Sequence, residues 1–255
     1  MNHTLKSRLA QRDVLVGPLV TLSSPEVAEV MGQVGFDYLW IETEHAPMDV
    51  SQAQMMIQAV GGRCPCVVRV PENAEVWIKK ALDVGCDGIV IPQVKSAAEA
   101  EAAVQCCLYP PAGRRSVGIG RAHGYGMSFQ EYVAAVNDRL AIILQVEHVD
   151  GVRNVESIVN TPGIDAVLVG PYDLSGSMDL LGQVDHPRVV EAIQEIKRYC
   201  DAAGVPAGIF VAGPQAANRY IADGFTLIAL GTDALYLWQS ARQALDQVQR
   251  SAAEF

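Results

Sequence analysis

Short, almost uninterrupted apolar runs alternate with longer amphipathic segments along this chain of 255 residues. Eight of the runs are rich in Val, Ile and Leu and are predicted to be strands, at 14–22, 37–45, 64–70, 87–94, 139–147, 164–170, 205–212 and 225–231. A segment with helical periodicity follows each strand, and one extra helix, SFQEYVAAVND, precedes the fifth strand. Strands that are apolar throughout are typical of parallel sheets with both faces buried.

This alternation of eight strands and eight helices predicts an α/β fold, a (β/α)8 TIM barrel, in a single domain that spans residues 1–255. A doubly wound open sheet is the alternative. It would require a glycine-rich phosphate-binding turn after the first strand, and the sequence GPLVTLSSP has none. The C-terminal helix, from about Asp233, carries the apolar segment ALYLWQSARQAL and is predicted to pack on a neighbouring subunit.

Composition narrows the class of protein. Hydrophobic residues make up 50% of the chain, and a net charge of -10 without a Lys/Arg cluster argues against binding to nucleic acid or to an anionic membrane surface. The first residues lack the apolar core of a signal peptide, and no uncharged run reaches transmembrane length. Six cysteines show neither zinc-site spacing nor a disulfide pattern, so we expect reduced thiols in a cytoplasmic protein.

Polar side chains cluster where the predicted strands end, which is where a TIM barrel carries its chemistry. The second strand ends in Glu42, Thr43, Glu44 and His45, the third in Arg69, the fifth in Gln145 and Glu147, and the segment after the sixth contains Asp173. The seventh and eighth strands end in small or apolar residues. One half of the barrel mouth is therefore predicted to be charged, and the other half small and permissive.

Two carboxylates on adjacent strands, Glu147 and Asp173, favour a site for a hard cation such as Mg²⁺ or Mn²⁺, with water and substrate oxygens as the other ligands. Gln145 lies two residues before Glu147, so strand periodicity places both on the same face. The alternative is that each carboxylate is an ordinary loop residue, with Asp173 forming an Asx turn.

Arg69 and His45 extend the candidate site. The guanidinium fork of Arg69 suits a substrate carboxylate or a developing oxyanion, and His45 is a candidate general base. The alternatives are a salt bridge from Arg69 to Glu42 or Glu44, and a histidine that serves only as a hydrogen-bonded structural residue.

Six segments, IETEHAP, VVRVP, IKKALDVGCDGIVIPQV, YPPAGRRSVG, LQVEH and LVGPYDLSGSM, follow one another along the chain. In their sequence, order and spacing the chain resembles the HpcH/HpaI class II aldolases over essentially its whole length. The resemblance implies a metal-dependent enzyme that cleaves or forms 4-hydroxy-2-oxo acids, such as hydroxy-oxo-heptanedioate, 2-keto-3-deoxy-rhamnonate or 5-keto-4-deoxy-glucarate, in aromatic or sugar acid catabolism. It also implies pyruvate and an aldehyde as substrates, Mg²⁺, Mn²⁺ or Co²⁺ as cofactor, and a hexamer built from two trimers.

The resemblance also assigns roles around the metal. Glu147 and Asp173 would be its ligands, and pyruvate would bind it through keto and carboxylate oxygens. Backbone N–H groups around Tyr172 and Asp173 would contact the pyruvate carboxylate, and Gln145 would lie beside it.

The roles in proton transfer and charge stabilisation fall on three further residues. By resemblance, Arg69 would stabilise the enolate oxygen, and His45 would be the base, acting through water. Asp83 would pair with His45, from the same or an adjacent chain. From its position alone, Asp83 is simply a residue near the end of a helix.

Three positions depart from the pattern of the family, and the third is Asp179 in the sequence SMD, where many members have SMG. Glu42 stands where many members have Asp, and Leu19 stands where many have a Trp that lines the aldehyde pocket. Both residues are predicted to border the substrate and to alter the choice of aldehyde, so the physiological aldehyde is not assigned.

Several alternatives stay open. Oxaloacetate decarboxylation and a macrophomate-synthase-like addition would use the same enolate site, and a non-catalytic barrel that binds a ligand is a third possibility. The segment 110–126 is a candidate for the acceptor side or a subunit interface, and equally for a loop that only caps the barrel.

Overall fold

Eight parallel strands form a closed barrel in the order of the chain. The computed structural model describes residues 4–248. The strands are β1 Leu15–Val20, β2 Leu39–Glu42, β3 Cys66–Arg69, β4 Gly88–Ile91, β5 Ala141–Val146, β6 Ala166–Val169, β7 Ala207–Val211 and β8 Leu227–Thr232. The predicted TIM barrel is confirmed, whereas the assignment of all of 1–255 to one domain stays a prediction, because 1–3 and 249–255 lie outside the described residues.

Helices surround the barrel, and within residues 4–248 they exceed the predicted eight. They are α1 Leu5–Ala10, α2 Pro25–Met31, α3 Val50–Val60, α4 Glu75–Asp83, α5 Ala97–Cys107, α6 Phe129–Ala135, α7 Val149–Arg153, α8 Val155–Val159, α9 Pro171–Ser177, α10 Pro187–Ala203, α11 Pro214–Ala222 and α12 Asp233–Asp246. The unpredicted α1 and α9 have 6 and 7 residues, too few for a clear helical period. Among the described helices, none is long and apolar enough to cross a membrane.

The amino end of the barrel is closed by α1. Alternate residues of each strand point into the barrel and form an apolar interior, and Leu5 and Leu9 of α1 are buried against that interior. The cations of the same helix bind carboxylates at this end: Lys6 pairs with Asp165 at 2.9 Å, and Arg8 pairs with Asp37 at 2.8 Å. The opposite, carboxyl end of the barrel is therefore the open one.

A Gly-X-Asp sequence precedes three of the strands, at 35–37, 85–87 and 163–165. Each glycine has a positive φ, between 83° and 101°, which lets the chain reverse after a helix. Each aspartate accepts a backbone N–H near the start of the preceding strand: Asp37 from Val16, Asp87 from Cys66 and Asp165 from Ile142, at 2.8–2.9 Å. These carboxylates are used in hydrogen bonds within the fold, so the amino end of the barrel contributes to the stability of the protein.

We predict that Asp165→Ala lowers the free energy of unfolding by about 1–3 kcal/mol, because it removes the acceptor of the buried Ile142 N–H and the carboxylate partner of Lys6, which keeps only the Leu140 carbonyl. Urea denaturation followed by circular dichroism measures the change. Asp185→Ala is the matched control, since Asp185 is exposed in its pair with Arg219 and should change stability by less than about 0.5 kcal/mol. Equal losses in the two variants would contradict the structural role of Asp165.

Candidate active site

A buried ion pair lies at the open end of the barrel, where Glu42 of β2 and Arg69 of β3 are register partners. Glu42 Oε2 accepts from Arg69 Nε at 2.6 Å and from Trp40 Nε1 at 3.2 Å. Glu42 Oε1 accepts the backbone N–H groups of Glu44 and His45 at 2.7 and 2.9 Å. One carboxylate therefore positions the guanidinium and also shapes the turn that carries His45.

Arg69 is held on its other sides as well. Its Nη1 donates to Gln145 Oε1 at 3.3 Å and lies 3.1 Å from Glu44 Oε2. Its guanidinium stacks over the Trp40 ring at 5.2 Å from the centroid. The salt bridge to the neighbouring glutamates is thus present, and it fixes Arg69 in a single orientation at the barrel mouth.

The hydrogen-bonded chain continues from Gln145 to Glu147. Gln145 Nε2 donates to Glu147 Oε2, and the backbone N–H of Gln93 donates to Glu147 Oε1 at 3.0 Å. Gln93 adopts a left-handed φ of 58°, a conformation uncommon outside glycine. Glu147 is 2% exposed, so its carboxylate is buried and fixed by one side chain and one backbone group.

The electrostatics of this region are dominated by carboxylates. Burial raises the pKa of Glu147 to about 7; the Gln93 N–H and Arg69 lower it, and the charges of Glu44 and Asp173 raise it further. Burial also raises the pKa of Glu44, against the effect of Arg69. These carboxylates outnumber the one arginine beside them, Arg69. The excess of negative charge raises the free energy of their ionised forms, and a bound cation would lower it.

A divalent cation fits this donor set. All the candidate ligands are oxygens, which hard cations prefer, and Glu44 Oε2 is a buried carboxylate oxygen that makes no hydrogen bond within residues 4–248. In the same part of the chain, no group of three or more His, Cys, Asp or Glu side chains is arranged around a common metal position. The protein would therefore supply two carboxylates, Glu147 and Asp173, and leave the other positions to water and substrate.

The segment after β6 brings Asp173 to the site. Gly170 packs so closely that a Cβ there would lie 2.6 Å from Glu147 Oε2 and 2.9 Å from Gln145 Nε2. The helix α9 starts at the next residue, and no side chain of residues 4–248 caps its first turn. Within that part of the chain, the N–H groups of the turn have no side-chain acceptor and could donate to an anionic group.

A cavity of about 150 Å³ opens at this end of the barrel. It is lined by Leu19, Trp40, His45, Arg69, Gln145, Gly170, Pro171, Tyr172, Asp173 and Phe210. Most of the predicted site residues thus meet at one cavity, and Glu42 and Glu147 lie directly behind it, hydrogen-bonded to Arg69 and Gln145 respectively. The His45 side chain is 68% exposed at the rim, with Nε2 3.8 Å from Glu44 Oε2.

Asp83 is the predicted site residue that a single chain does not bring to this cavity. It is the last residue of α4, five residues before β4 begins at Gly88, and so it lies near the amino end of the barrel. Its carboxylate pairs with Arg115 Nη2 at 2.8 Å. Segment 110–126 lies beside it, with the Cβ position of Gly120 only 2.9 Å from Asp83 O, so within one chain this loop does not border the acceptor side.

Two aromatic residues line the cavity although the sequence analysis does not predict them as site residues. Trp40 and Phe210 lie within apolar strands, where they have the pattern of core residues. The available signal was the two-residue period of a strand: Trp40 lies two residues before Glu42, so it faces the barrel interior too.

The model of the HpcH/HpaI aldolase/citrate lyase family matches residues 17–239 of the chain. The chain belongs to this family. Among its relatives, the 5-keto-4-deoxy-D-glucarate aldolase of Shigella dysenteriae is 41% identical over 245 residues, 95% of each protein. The predicted family is therefore confirmed.

Solved structures agree with this assignment. The crystal structure of an HpcH/HpaI aldolase/citrate lyase family protein from Burkholderia cenocepacia matches with a TM-score of 0.93 and 35% identity, and the match covers 96% of this chain and 99% of that one. Macrophomate synthase matches with a TM-score of 0.83 and 31% identity over 96% of this chain and 88% of its own.

We predict that Gly170→Ala weakens Mn²⁺ binding by about 10- to 100-fold, because the new Cβ would displace the Glu147 carboxylate and the Gln145 amide that orients it. Titration of free Mn²⁺ by electron paramagnetic resonance measures this without reference to turnover. Gly176→Ala, in the same helix, is the control, since its Cβ would meet only the Leu181 side chain at 3.2 Å. Unchanged Mn²⁺ affinity in Gly170→Ala would argue against Glu147 as a ligand.

Proposed function

We propose that this protein is a divalent-metal-dependent aldolase, a carbon–carbon lyase that cleaves or forms a 4-hydroxy-2-oxo acid by way of pyruvate and an aldehyde. The observation that carries the proposal is the buried chain of contacts from Glu42 through Arg69 and Gln145 to Glu147, beside Asp173. A fixed guanidinium and two carboxylates that would bind the cation thus lie at or directly behind one cavity. Membership of the aldolase/citrate lyase family supports the same reaction class.

Glu147 and Asp173 are the residues that would bind the metal, with Mg²⁺ or Mn²⁺ favoured by oxygen ligands and Co²⁺ as a third choice. When bound, the cation supplies positive charge that polarises the keto group of the oxo acid. Gln145 and the Gln93 N–H fix the orientation of the Glu147 carboxylate. The uncapped first turn of α9, at Tyr172 and Asp173, offers backbone N–H groups to the pyruvate carboxylate.

Arg69 is placed to stabilise the oxyanion that develops when the carbon–carbon bond breaks. Its Nε and Nη1 are occupied by Glu42, Glu44 and Gln145, and its Nη2 makes no hydrogen bond within the described residues. A donor that is fixed before the reaction does not need to reorganise as charge forms, which is the main source of such stabilisation.

His45 would act as the base. It lines the cavity and is exposed at its rim, where a water molecule can connect it to the substrate. In the cleavage direction, the proton of the 4-hydroxyl passes towards His45, the bond between C3 and C4 breaks, and the aldehyde leaves. The electron pair stays on C3 as the enolate, which takes up a proton to give pyruvate.

We further propose that the protein assembles as a hexamer of two trimers and that Asp83 serves the cavity of an adjacent subunit. Beside Asp83, the loop exposes Val117 and Ile119 by 61% and 82%, and Met127, the residue after the loop, is 85% exposed. Apolar side chains exposed to this degree are typical of protein interfaces. On α12, Trp238 is 64% exposed in the described structure, in keeping with a helix that packs on a neighbour.

We propose a cytoplasmic location, and the cysteines support it. All six are free, and five are buried, which fits a protein of the reducing cytoplasm.

Oxaloacetate decarboxylation and a macrophomate-synthase-like addition are the alternative reactions of the same site, since each also requires a stabilised pyruvate enolate. The similarity to macrophomate synthase supports the second of these alternatives.

We predict that EDTA abolishes pyruvate-forming cleavage and that added Mg²⁺, Mn²⁺ or Co²⁺ restores it. Deuterium exchange into the pyruvate methyl group, followed by NMR, should show the same metal dependence, because exchange reports the enolate alone. Product analysis separates the reactions, since an aldolase releases an aldehyde with pyruvate whereas a decarboxylase releases carbon dioxide. Cleavage that survives chelation and is lost on borohydride trapping would contradict the metal-dependent mechanism.

We predict that His45→Ala lowers the rate of cleavage by about 10²- to 10⁴-fold, as expected for the loss of a general base. His186→Ala is the control, because His186 only caps the start of α10. Full activity in His45→Ala would show that the base is another group.

The same variant tests the placement of Asp83. Asp83→Ala should also be poorly active, and co-expression of His45→Ala and Asp83→Ala chains should restore activity, because some interfaces then combine an intact His45 with an intact Asp83. No recovery in mixed oligomers of native size would show that Asp83 does not act between chains. Size-exclusion chromatography reports the assembly state directly.

A further inference from the structure

The wall of the cavity is divided into a polar and an apolar half. Arg69, Gln145 and Asp173 come from β3, β5 and the segment after β6. Phe210, Leu19 and Trp40 come from β7, β1 and β2. Because the barrel is closed and β8 lies between β7 and β1, the strands β7, β8, β1 and β2 are neighbours. The side chains that they present to the cavity form one continuous apolar arc.

Between Phe210 and Leu19 the barrel wall is formed by β8, whose Gly231 adds no side chain to the arc. A Cβ at Gly231 would lie 2.9 Å from the Tyr236 hydroxyl, so the space beside this glycine is filled by α12 and does not belong to the cavity. The apolar border opposite the polar half is therefore made by Phe210, Leu19 and Trp40.

Trp40 is a fixed part of this arc. Its indole N–H donates to Glu42 at 3.2 Å, its ring lies against the Arg69 guanidinium, and the residue is 2% exposed. The N–H is satisfied, so the ring offers the cavity only an apolar surface. Leu19 is its partner in the register of β1 and β2.

Phe210 closes the other side of the arc. Its ring packs against Tyr172, with centroids 6.5 Å apart, and Tyr172 is 48% exposed at the mouth. The arc thus extends outward from the barrel interior as a mostly aromatic surface. A flat or chain-like apolar group could lie along it.

The charges of the cavity argue against a second anionic group on the substrate. Among the residues that line it, Arg69 is the only arginine or lysine, and it already contacts Glu42 and Glu44. His45 lies 3.8 Å from Glu44. Within one chain, a carboxylate at the far end of an acceptor would therefore lie on an apolar surface, near other carboxylates and without a free cation. Arg115, which would approach together with Asp83 of an adjacent subunit, is already paired with that aspartate at 2.8 Å.

We infer that this arc is the acceptor subsite and that it selects aldehydes with an uncharged, apolar or aromatic substituent over aldehydes that carry a second carboxylate. The inference rests on the proposed aldolase function and adds to it the chemical class of the acceptor. Phe210, Leu19 and Trp40 are its specificity-determining residues.

The test compares two acceptors of equal chain length, butanal and succinic semialdehyde, with pyruvate and the Mg²⁺-loaded full-length protein. We expect kcat/KM to favour butanal by at least about 10-fold, the size of discrimination that an apolar subsite provides. Equal values, or a preference for succinic semialdehyde, would overturn the inference. Benzaldehyde extends the series, and it should be accepted at least as well as succinic semialdehyde.

A substitution in the arc provides a second test of the inference. Phe210→Arg should shift the ratio of the two kcat/KM values towards succinic semialdehyde by about 10-fold or more, because it adds a partner for the carboxylate. Phe210→Leu is the matched control and should keep the preference for butanal. Leu19→Arg adds a cation at the other end of the arc and replaces Phe210→Arg if that variant does not fold.

Deuterium exchange into the pyruvate methyl group distinguishes a failure of the acceptor-subsite inference from a failure of the proposed aldolase function. Each variant's rates with aldehydes are divided by its own exchange rate, so a general loss of enolate formation cancels. A wild-type protein that exchanges pyruvate but prefers succinic semialdehyde would overturn the subsite alone. A wild-type protein that shows no metal-dependent exchange would overturn the aldolase function itself.

Discussion

The buried ion pair between Glu42 and Arg69 is the interaction on which the rest of the site depends. The two side chains are only 2% and 8% exposed, and a charge removed from water in this way is stable only when it is paired and hydrogen-bonded. Here the pair is embedded in further contacts with Trp40 and Gln145. Loss of one partner would leave the other charge buried and uncompensated, so the two residues form one unit.

The same type of residue has opposite uses at the two ends of the barrel. At the amino end, Asp37, Asp87 and Asp165 accept backbone N–H groups, and cations of α1 bind two of them. At the carboxyl end, Glu44 Oε2 lies 3.1 Å from Arg69 but makes no hydrogen bond within residues 4–248, and Asp173 lines the cavity. The carboxylates of the amino end are bonded to backbone and to α1 and stabilise the fold, whereas those of the carboxyl end lie at the cavity, where a ligand can reach them.

Sequence patterns were sufficient for the architecture and for much of the site. The eight apolar runs identified every strand, because burial on both faces leaves a strong local signal. The residues that end those strands include Arg69, Gln145 and Glu147, and the closed barrel brings them together by geometry alone. Whether they carry the roles predicted for them is a matter for the experiments above.

What could not be predicted depends on contacts between distant parts of the chain. The location of Asp83 requires knowing which end of α4 faces the mouth, and its proposed role requires a second chain that no local pattern describes. Trp40 and Phe210 were indistinguishable from core residues, because an apolar side chain that lines a cavity has the same local pattern as one that fills the core. Likewise α1 is too short to show a period, and its closing role appears only in the folded barrel.

The four hydrogen bonds of Glu42 connect substrate choice to catalysis. A carboxylate has about four acceptor positions, and Glu42 uses them for Trp40, Arg69 and the backbone N–H groups of Glu44 and His45. Trp40 belongs to the apolar arc, Arg69 is the proposed partner of the oxyanion, and His45 is the proposed base. A change in any one of these partners must alter the geometry of the carboxylate they share. Variation in the acceptor wall of this protein is therefore coupled to the position of its reactive groups, and a new aldehyde preference would not be acquired through Trp40 alone without a compensating change at residue 42.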